Sequence, residues 1–303
     1  MRWFETPNID FVGKRKGAYI FSGIMFTLSL VVIITQGLQY GIDFKGGSEF
    51  VYKFSEPVST TEVRQLLTEP LGSAPEVKQF GTDVEVLIRT DNTASKEDVE
   101  VIIQETFNAQ LSNITYESES SSYISPRFGD DLKSGAVQAV IYAIIIIFIY
   151  ILIRFRNWTF SAGAVAALVH DVTITLGIFT LLSDVVNFSL LIDQNIIAAF
   201  LTIVGYSLND TVVVFDRIRE NSIVHKGMDF LPMVNKSLND TLSRTVITSI
   251  TTLFVVLVLF IFGGEVLKGL SFALIIGVVL GTYSSLFVAS PLVLELDKRA
   301  KQS

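Results

Sequence analysis

Six predominantly apolar stretches alternate with polar ones along this chain. Residues 19–38, 136–153, 160–182, 196–215, 246–262 and 270–294 each approach the roughly 20 apolar residues that a helix needs to cross a hydrocarbon core. They predict six transmembrane helices. The fifth run is short for a span unless its helix starts at Ser243 or earlier.

Between the first two runs the pattern changes to short segments. Residues 48–54 read as a strand, and Ser59-Thr-Thr-Glu62 is a capping box opening a helix to about Thr68. Residues 77–80 and 84–89 flank Gly81-Thr-Asp83, a hairpin signal. Ser95 caps a second helix, in which Val99, Ile102, Ile103, Thr106 and Phe107 recur at helical spacing. Residues 112–124 form a last, polar strand. The order βαββαβ predicts an α+β ferredoxin-like domain between spans 1 and 2. Its exposed sheet edges can take up an extended peptide, or the domain can be a plain spacer; both readings stay open. The chain thus divides into an N-terminal segment (1–18), span 1 (19–38), the inserted domain (39–133), spans 2–6 (134–296) and a tail (297–303).

Composition agrees with a multispan membrane protein: half of the 303 residues are hydrophobic, 17% are charged, and mean hydropathy is +0.52. The net charge of −7 is unevenly placed, since residues 41–133 hold 17 acidic and 8 basic side chains. The remainder is slightly basic, and nothing suggests nucleic-acid binding. With no cysteine, disulfides and thiolate metal sites are excluded; no cofactor is expected. Residues 1–17 are basic and lead into a full-length apolar run without a small-residue cleavage pattern, which reads as an uncleaved first span.

Short-loop cations set the orientation. Arg2, Lys14, Arg15 and Lys16, then Arg154 and Arg156, then Arg217, Arg219, Lys226 and Lys236, and finally Lys298, Arg299 and Lys301 all fall on one side. The opposite short loops, 183–195 and 263–269, hold only Lys268. Both termini are therefore expected in the cytoplasm and the inserted domain outside. Trp3, Phe4 and Phe11 are expected to lay the N-terminal segment on the inner interface, as Trp158 does for the second loop.

Asp210 leads the candidate chemistry. It sits about 7–8 Å inside the end of the fourth run, where a carboxylate costs roughly 2.5–3.5 kcal/mol and is usually kept for proton or ion traffic. Asn209 and Thr211 flank it, and Arg217, at i+7 on its face, is expected to cap the inner side. Arg244, on one face with Thr248 at i, i+4, either pairs with Asp210 or snorkels at a helix end. His170 and Asp171, midway along the third run, either extend a proton relay or make an interhelical hydrogen bond. Adjacent residues point about 100° apart on a helix, so the two are not expected to bond each other. Gly277 and Gly281 permit close helix contact. Gly205-Tyr-Ser207 with His170 invites a serine-protease reading, but no glycine follows the serine and the paired aspartate motifs of aspartyl intramembrane proteases are missing.

Gly205-Tyr-Ser-Leu-Asn-Asp-Thr-Val-Val-Val-Phe-Asp-Arg-Ile-Arg-Glu-Asn221 resembles the signature of the SecF family of protein-export membrane subunits, which work with SecD beside the Sec translocon. Tyr40-Gly-Ile-Asp-Phe-Lys-Gly-Gly47, His170-Asp-Val172 and Leu238-Asn-Asp-Thr-Leu-Ser-Arg-Thr245 agree in position. The resemblance covers essentially the whole chain. It implies half of a pseudo-symmetric 12-span unit of the resistance–nodulation–division superfamily, in the bacterial cytoplasmic membrane. It also implies a non-enzymatic factor that uses the proton-motive force to draw exported, unfolded polypeptides outward. The resemblance maps proton conduction onto Asp210, Arg244 and Thr248, with a matching aspartate on SecD; Asn209, His170 and Asp171 are secondary candidates by their own placement in the apolar runs. The implied partners are SecD, the SecYEG channel, exported polypeptides, protons and membrane lipid. Alternatives are a small-molecule or lipid exporter subunit of the superfamily, or a non-transporting translocon scaffold.

Overall fold

A computed structural model describes residues 8–92, 94–111, 114–183, 185–186 and 188–300. In chain order the elements are α1 (Arg15–Gln36), α2 (Ile42–Lys45), β1 (Gly47–Phe54), α3 (Thr60–Leu71), β2 (Glu76–Phe80), β3 (Thr82–Thr90), α4 (Lys96–Gln110) and β4 (Tyr116–Ile124). The remaining helices are α5 (Pro126–Phe155), α6 (Trp158–Leu182), α7 (Gln194–Val224), α8 (Phe230–Phe262), α9 (Glu265–Ser284), a π-helical turn (Ser285–Ala289) and α10 (Ser290–Ala300). Six helical stretches are long and apolar enough to cross a membrane, the sixth running from α9 through the π turn into α10.

The inserted domain is one antiparallel sheet in the order β2-β3-β1-β4, the arrangement that βαββαβ connectivity demands. Serine caps set its helices: Ser59 Oγ accepts from the Glu62 N–H and Ser95 Oγ from the Asp98 N–H. Alternate β1 residues Phe50, Tyr52 and Phe54 pack on Val63 and Leu67 of α3 and on Val99, Ile103 and Phe107 of α4. The last strand begins at Tyr116, later than the expected residue 112, which lies outside the described residues.

Three helices, α5, α7 and α8, outrun their apolar stretches by two turns or more. The α7 helix spans 31 residues and α8 spans 33, so the fifth span starts at Phe230 and is not short. The added turns of α7 and α8 are amphipathic and bonded to each other: Asn221 Nδ2 donates to Ser237 Oγ at 2.8 Å and to Asp240 Oδ2 at 3.3 Å. Apolarity marks only the part of a helix that lipid and core demand; hydrogen bonding carries it further.

Phe11 departs from expectation. It is buried in the bundle against Phe287, with ring centroids 5.5 Å apart, so it does not lie on an interface. Its segment is held by α8, where Asn235 Oδ1 accepts from the Phe11 and Val12 N–H groups and Asn239 Oδ1 from Ile9. Trp158 is half exposed, and Trp3 and Phe4 lie outside the described residues.

The inserted domain is tied to the bundle through its linker. Gly41 N–H donates to Ile192 O and Ile192 N–H to Gln39 O, while Ser189 Oγ donates to Glu76 Oε1 on β2 at 3.2 Å. Inside the bundle, one apolar cluster near this junction includes Phe179, Phe200, Ile203 and Ala273. A second, toward the other end, includes Phe160, Ala167, Val214, Phe215 and Leu286. The segments joining these clusters on α6, α7 and α9 carry a buried polar layer.

Candidate functional site: a buried polar layer across four helices

The layer exists because α7 and α9 can approach closely. A Cβ at Gly277 would lie 2.2 Å from Ile203 Cγ1, and one at Gly281 would lie 3.0 Å from Ser207 Cβ. The two glycines therefore act as packing residues, as their spacing suggests, and they press the Ser207–Thr211 turn of α7 against α9.

Asp210 is 3% exposed. Its described hydrogen-bond donor is Ser249 Oγ of α8, on Oδ2 at a long 3.5 Å. Ser249 is also bonded to Thr282 Oγ1 of α9 at 2.6 Å, so its hydroxyl is shared. A buried carboxylate normally needs several short donors or a cation to offset its lost hydration. Asp210 has little of either.

The expected cations make no salt bridge to Asp210 among the described residues, although the charge of Arg244 acts on it from longer range. Arg217 bonds Glu220 at 2.8 Å and lies 3.9 Å from Asp240 on α8. It therefore does not cap Asp210, because Glu220 one turn on along α7 and Asp240 at the extended start of α8 engage it instead. Arg244 is exposed on α8 and makes no salt bridge to Asp210 among the described residues. Thr248 is partly buried, its carbonyl accepting from Thr251 and Thr252 hydroxyls, and Asn209 is exposed beside Asp210. The structure thus buries Asp210 in the layer and leaves Asn209 and Arg244 on the outside of this chain.

Asp171 is surrounded differently. It is 1% exposed and accepts from Ser207 Oγ at 2.8 Å and Ser284 Oγ at 2.7 Å, both on Oδ2. His170 Nδ1 lies 2.9 Å from Oδ1. The adjacent pair therefore does bond, contrary to the helical-wheel expectation. The 100° separation applies to Cα–Cβ directions, and Nδ1, close to the backbone, reaches around the helix to meet the neighbouring carboxylate. Ser207 is fully buried and donates to Asp171, not to the imidazole, which gives the protease reading no nucleophile–base contact.

Sequence reasoning missed Ser249, Thr282 and Ser284, and did not foresee that Ser207 bonds Asp171. Single hydroxyls in an apolar helix carry little signal, since such groups commonly bond their own backbone. One usable clue was density: Ser207, Asp210 and Thr211 share a helical face, as do Thr282 and Ser285.

Comparisons with known proteins give a consistent picture. A family model described as protein export membrane protein SecD/SecF, C-terminal, matches residues 103–299, and a SecD/SecF GG motif model matches residues 31–58. Protein translocase subunit SecF of Rhodothermus marinus is 55% identical over 300 residues, covering 99% of this chain and 97% of that protein. The subunit of the same name from Calditerrivibrio nitroreducens is 42% identical, covering 95% and 94%. The crystal structure of SecDF, a translocon-associated membrane protein from Thermus thermophilus, matches with a TM-score of 0.84 at 34% identity, over 98% of this chain. SecDF in its super-membrane-facing form matches with a TM-score of 0.72, also at 34% identity, over 99% of this chain. This chain spans 40% of the length of either SecDF chain.

Proposed function

Because this chain belongs to the SecD/SecF family of protein-export membrane proteins, we propose that it serves the Sec machinery as the subunit that, together with SecD, couples the proton-motive force to the outward movement of exported polypeptides. It is a multi-pass membrane protein with six spans. In this reading both termini are cytoplasmic and the sheet domain lies outside, an orientation that the short-loop cations support. Asp210 is the proton-holding group, and Arg244 and Thr248 of α8 complete its pathway, with Asn209 secondary. The observation that carries the proposal is the poor support of Asp210: 3% exposed, with one long hydrogen bond and no salt bridge among the described residues. An intramembrane acid so placed is best suited to gaining and losing a proton.

Magnitudes limit the stroke. One charge crossing the field releases about 2.3 kcal/mol per 100 mV. A full shift of a two-state element from 1:99 to 99:1 takes about 5.5 kcal/mol. Repeated small movements of the helices around Asp210, passed to the sheet domain through the 39–46 linker, fit these numbers better than one long pull. The chain binds SecD, the translocon channel, exported segments and lipid in this scheme.

The deciding experiment measures gradient-dependent export in membrane vesicles carrying Asp210→Asn with wild-type SecD. The gradient-dependent part is expected to vanish while ATP-driven insertion persists. Unchanged export at equal protein level and assembly would make Asp210 structural and favour a non-transporting scaffold. Gradient-driven movement of a dye or lipid without any effect on export would instead support a superfamily exporter.

A further inference from the structure

The second buried carboxylate of the layer carries an imidazole that the Asp210 scheme does not use. The bonding around Asp171 engages both of its oxygens. Hydroxyls of Ser207 and Ser284 converge on Oδ2 at 2.8 and 2.7 Å, leaving that oxygen to act as an acceptor. With His170 Nδ1 at 2.9 Å from Oδ1, both oxygens are engaged, as suits an ionised carboxylate, which can only accept. With Asp171 ionised, Nδ1 carries the hydrogen and donates it. A neutral imidazole has one donor and one acceptor nitrogen, so Nε2 is left as the acceptor. Nε2 is buried and has no hydrogen-bond partner among the described residues, and His170 as a whole is 6% exposed. The molecule therefore holds an anion supported only by neutral donors beside an empty, basic lone pair. Adding a proton at Nε2 would turn the pair into an imidazolium–carboxylate contact with no net charge, the form a low-dielectric interior tolerates better.

We infer that His170 and Asp171 form a second proton-binding site within the bundle, with Nε2 of His170 taking the proton and Asp171 acting as its fixed counter-ion. Only an N–H bond forms, and the proton is drawn from and returned to water. Other titratable groups on the helices packed around α6 are identifiable. On α9, Tyr283 stacks on the imidazole with centroids 6.3 Å apart, and its hydroxyl is engaged with Ser22 and the Ala18 carbonyl of α1. The α7 helix carries Tyr206, Asp210, Asp216 and the Arg217–Glu220 turn; α1 carries Arg15, Lys16 and Tyr19 in its first turns. On α5, Lys133 and Arg154 sit near opposite ends with Tyr142 and Tyr150 between them, and α10 carries Glu295, Asp297, Lys298 and Arg299.

The site is wired to two helices that frame Asp210. Ser207 lies one turn before Asp210 on α7, and the Thr211 hydroxyl is bonded to the Ser207 carbonyl at 3.0 Å. Ser284 immediately precedes the π turn of residues 285–289, an irregularity that often marks a functional position. A change of charge at the pair alters what holds both serines. The inference goes beyond the Asp210 reading and stands or falls separately, because its test reads the imidazole and not export.

The test is nitrogen NMR of this chain labelled with 15N-histidine and reconstituted with unlabelled SecD in lipid. The chain has two histidines, so His225→Gln leaves His170 as the single source of signal. At high pH the expected spectrum has a protonated Nδ1 and a bare Nε2. On acidification Nε2 gains a proton while Nδ1 keeps its own. At the same pH, Asp171→Asn is expected to lower the doubly protonated fraction about tenfold or more, as loss of an opposite charge at hydrogen-bond distance requires. Three results would overturn the inference: a bare Nε2 at every pH where the complex stays assembled, a high-pH tautomer with the hydrogen on Nε2, or wild-type behaviour of Asp171→Asn. Should that variant fail to assemble, the wild-type titration decides alone, since a purely structural histidine keeps one proton throughout.

Discussion

Asp193 shows how one residue's surroundings set a measurable pH dependence. It caps α7, its Oδ1 accepting from the Ile196 N–H at 2.8 Å. Burial holds its carboxyl above the ordinary value of 3.8, with Asp43 adding to the effect; the Ile196 hydrogen bond and Arg89 oppose it without cancelling it. An acid with a raised folded-state value contributes fully below its unfolded value and loses that contribution as pH rises through the folded one. Asparagine caps a helix about as well as aspartate. Asp193→Asn should therefore match the wild type at about pH 4 and below, and unfold at higher temperature than the wild type around pH 8. Melting of the detergent-solubilised protein across that range checks this, and an equal offset at every pH would rule it out. Other individual residues were partly legible. Asp210 announced itself as an acid in an apolar run, but no spacing rule could assign Ser249 to it, because that contact depends on how α7, α8 and α9 pack. Arg217 was misassigned too: it bonds Glu220 one turn on along α7, and its second carboxylate neighbour, Asp240, lies on a helix extension that hydropathy did not reveal.

Among the elements, the join between α2 and β1 makes the strictest demand on sequence. Gly46 ends α2 at φ +76°, and Gly47 opens β1 at φ +137°, where side chains other than hydrogen are strained. A Cβ on Gly47 would also fall 2.3 Å from the Thr90 carbonyl oxygen of β3, a backbone atom that cannot step aside. Gly47→Ala should cost at least the roughly 1–3 kcal/mol typical of such backbone strain and lower the melting temperature of the whole protein. A variant that melts with the wild type would show that this join tolerates a side chain. The βαββαβ order of the inserted domain was legible because a capping box, a hairpin signal and alternation agree there, and such agreement between levels specifies a fold; the short α2 and the later start of β4 were not. The helices were legible in number but not in length. Apolar content ends where α7 and α8 leave the core, while Asn221, Ser237 and Asp240 bond across them and keep both helical. The π turn left no signature, since Ser285–Ala289 has ordinary helix-forming composition.

For the whole molecule, the decisive fact is that two polar side chains of the expected pathway face outward. Asn209 is exposed beside the buried Asp210, and Arg244 is exposed on α8, only about 7.5 Å along the axis from the Ser249 that meets Asp210. Charged side chains at membrane depth face protein or water, not lipid, because leaving them in hydrocarbon costs several kcal/mol. Under the proposed function a second chain covers this surface, which accords with this chain spanning 40% of the length of a SecDF chain. Two measurements follow. Lacking cysteine, the chain accepts a single spin label through Asn209→Cys without other changes. The label should be freely reached by oxygen dissolved in the bilayer when the chain is alone, and become several-fold less accessible once SecD is added. The same preparation should leave a proton gradient across liposomes intact without SecD, because a pathway that includes Asn209 and Arg244 is then open to lipid on one side. Strong proton flux through the chain by itself, or a label indifferent to SecD, would mean that the route closes within these six helices and that Asp210 has all its working partners already in this chain.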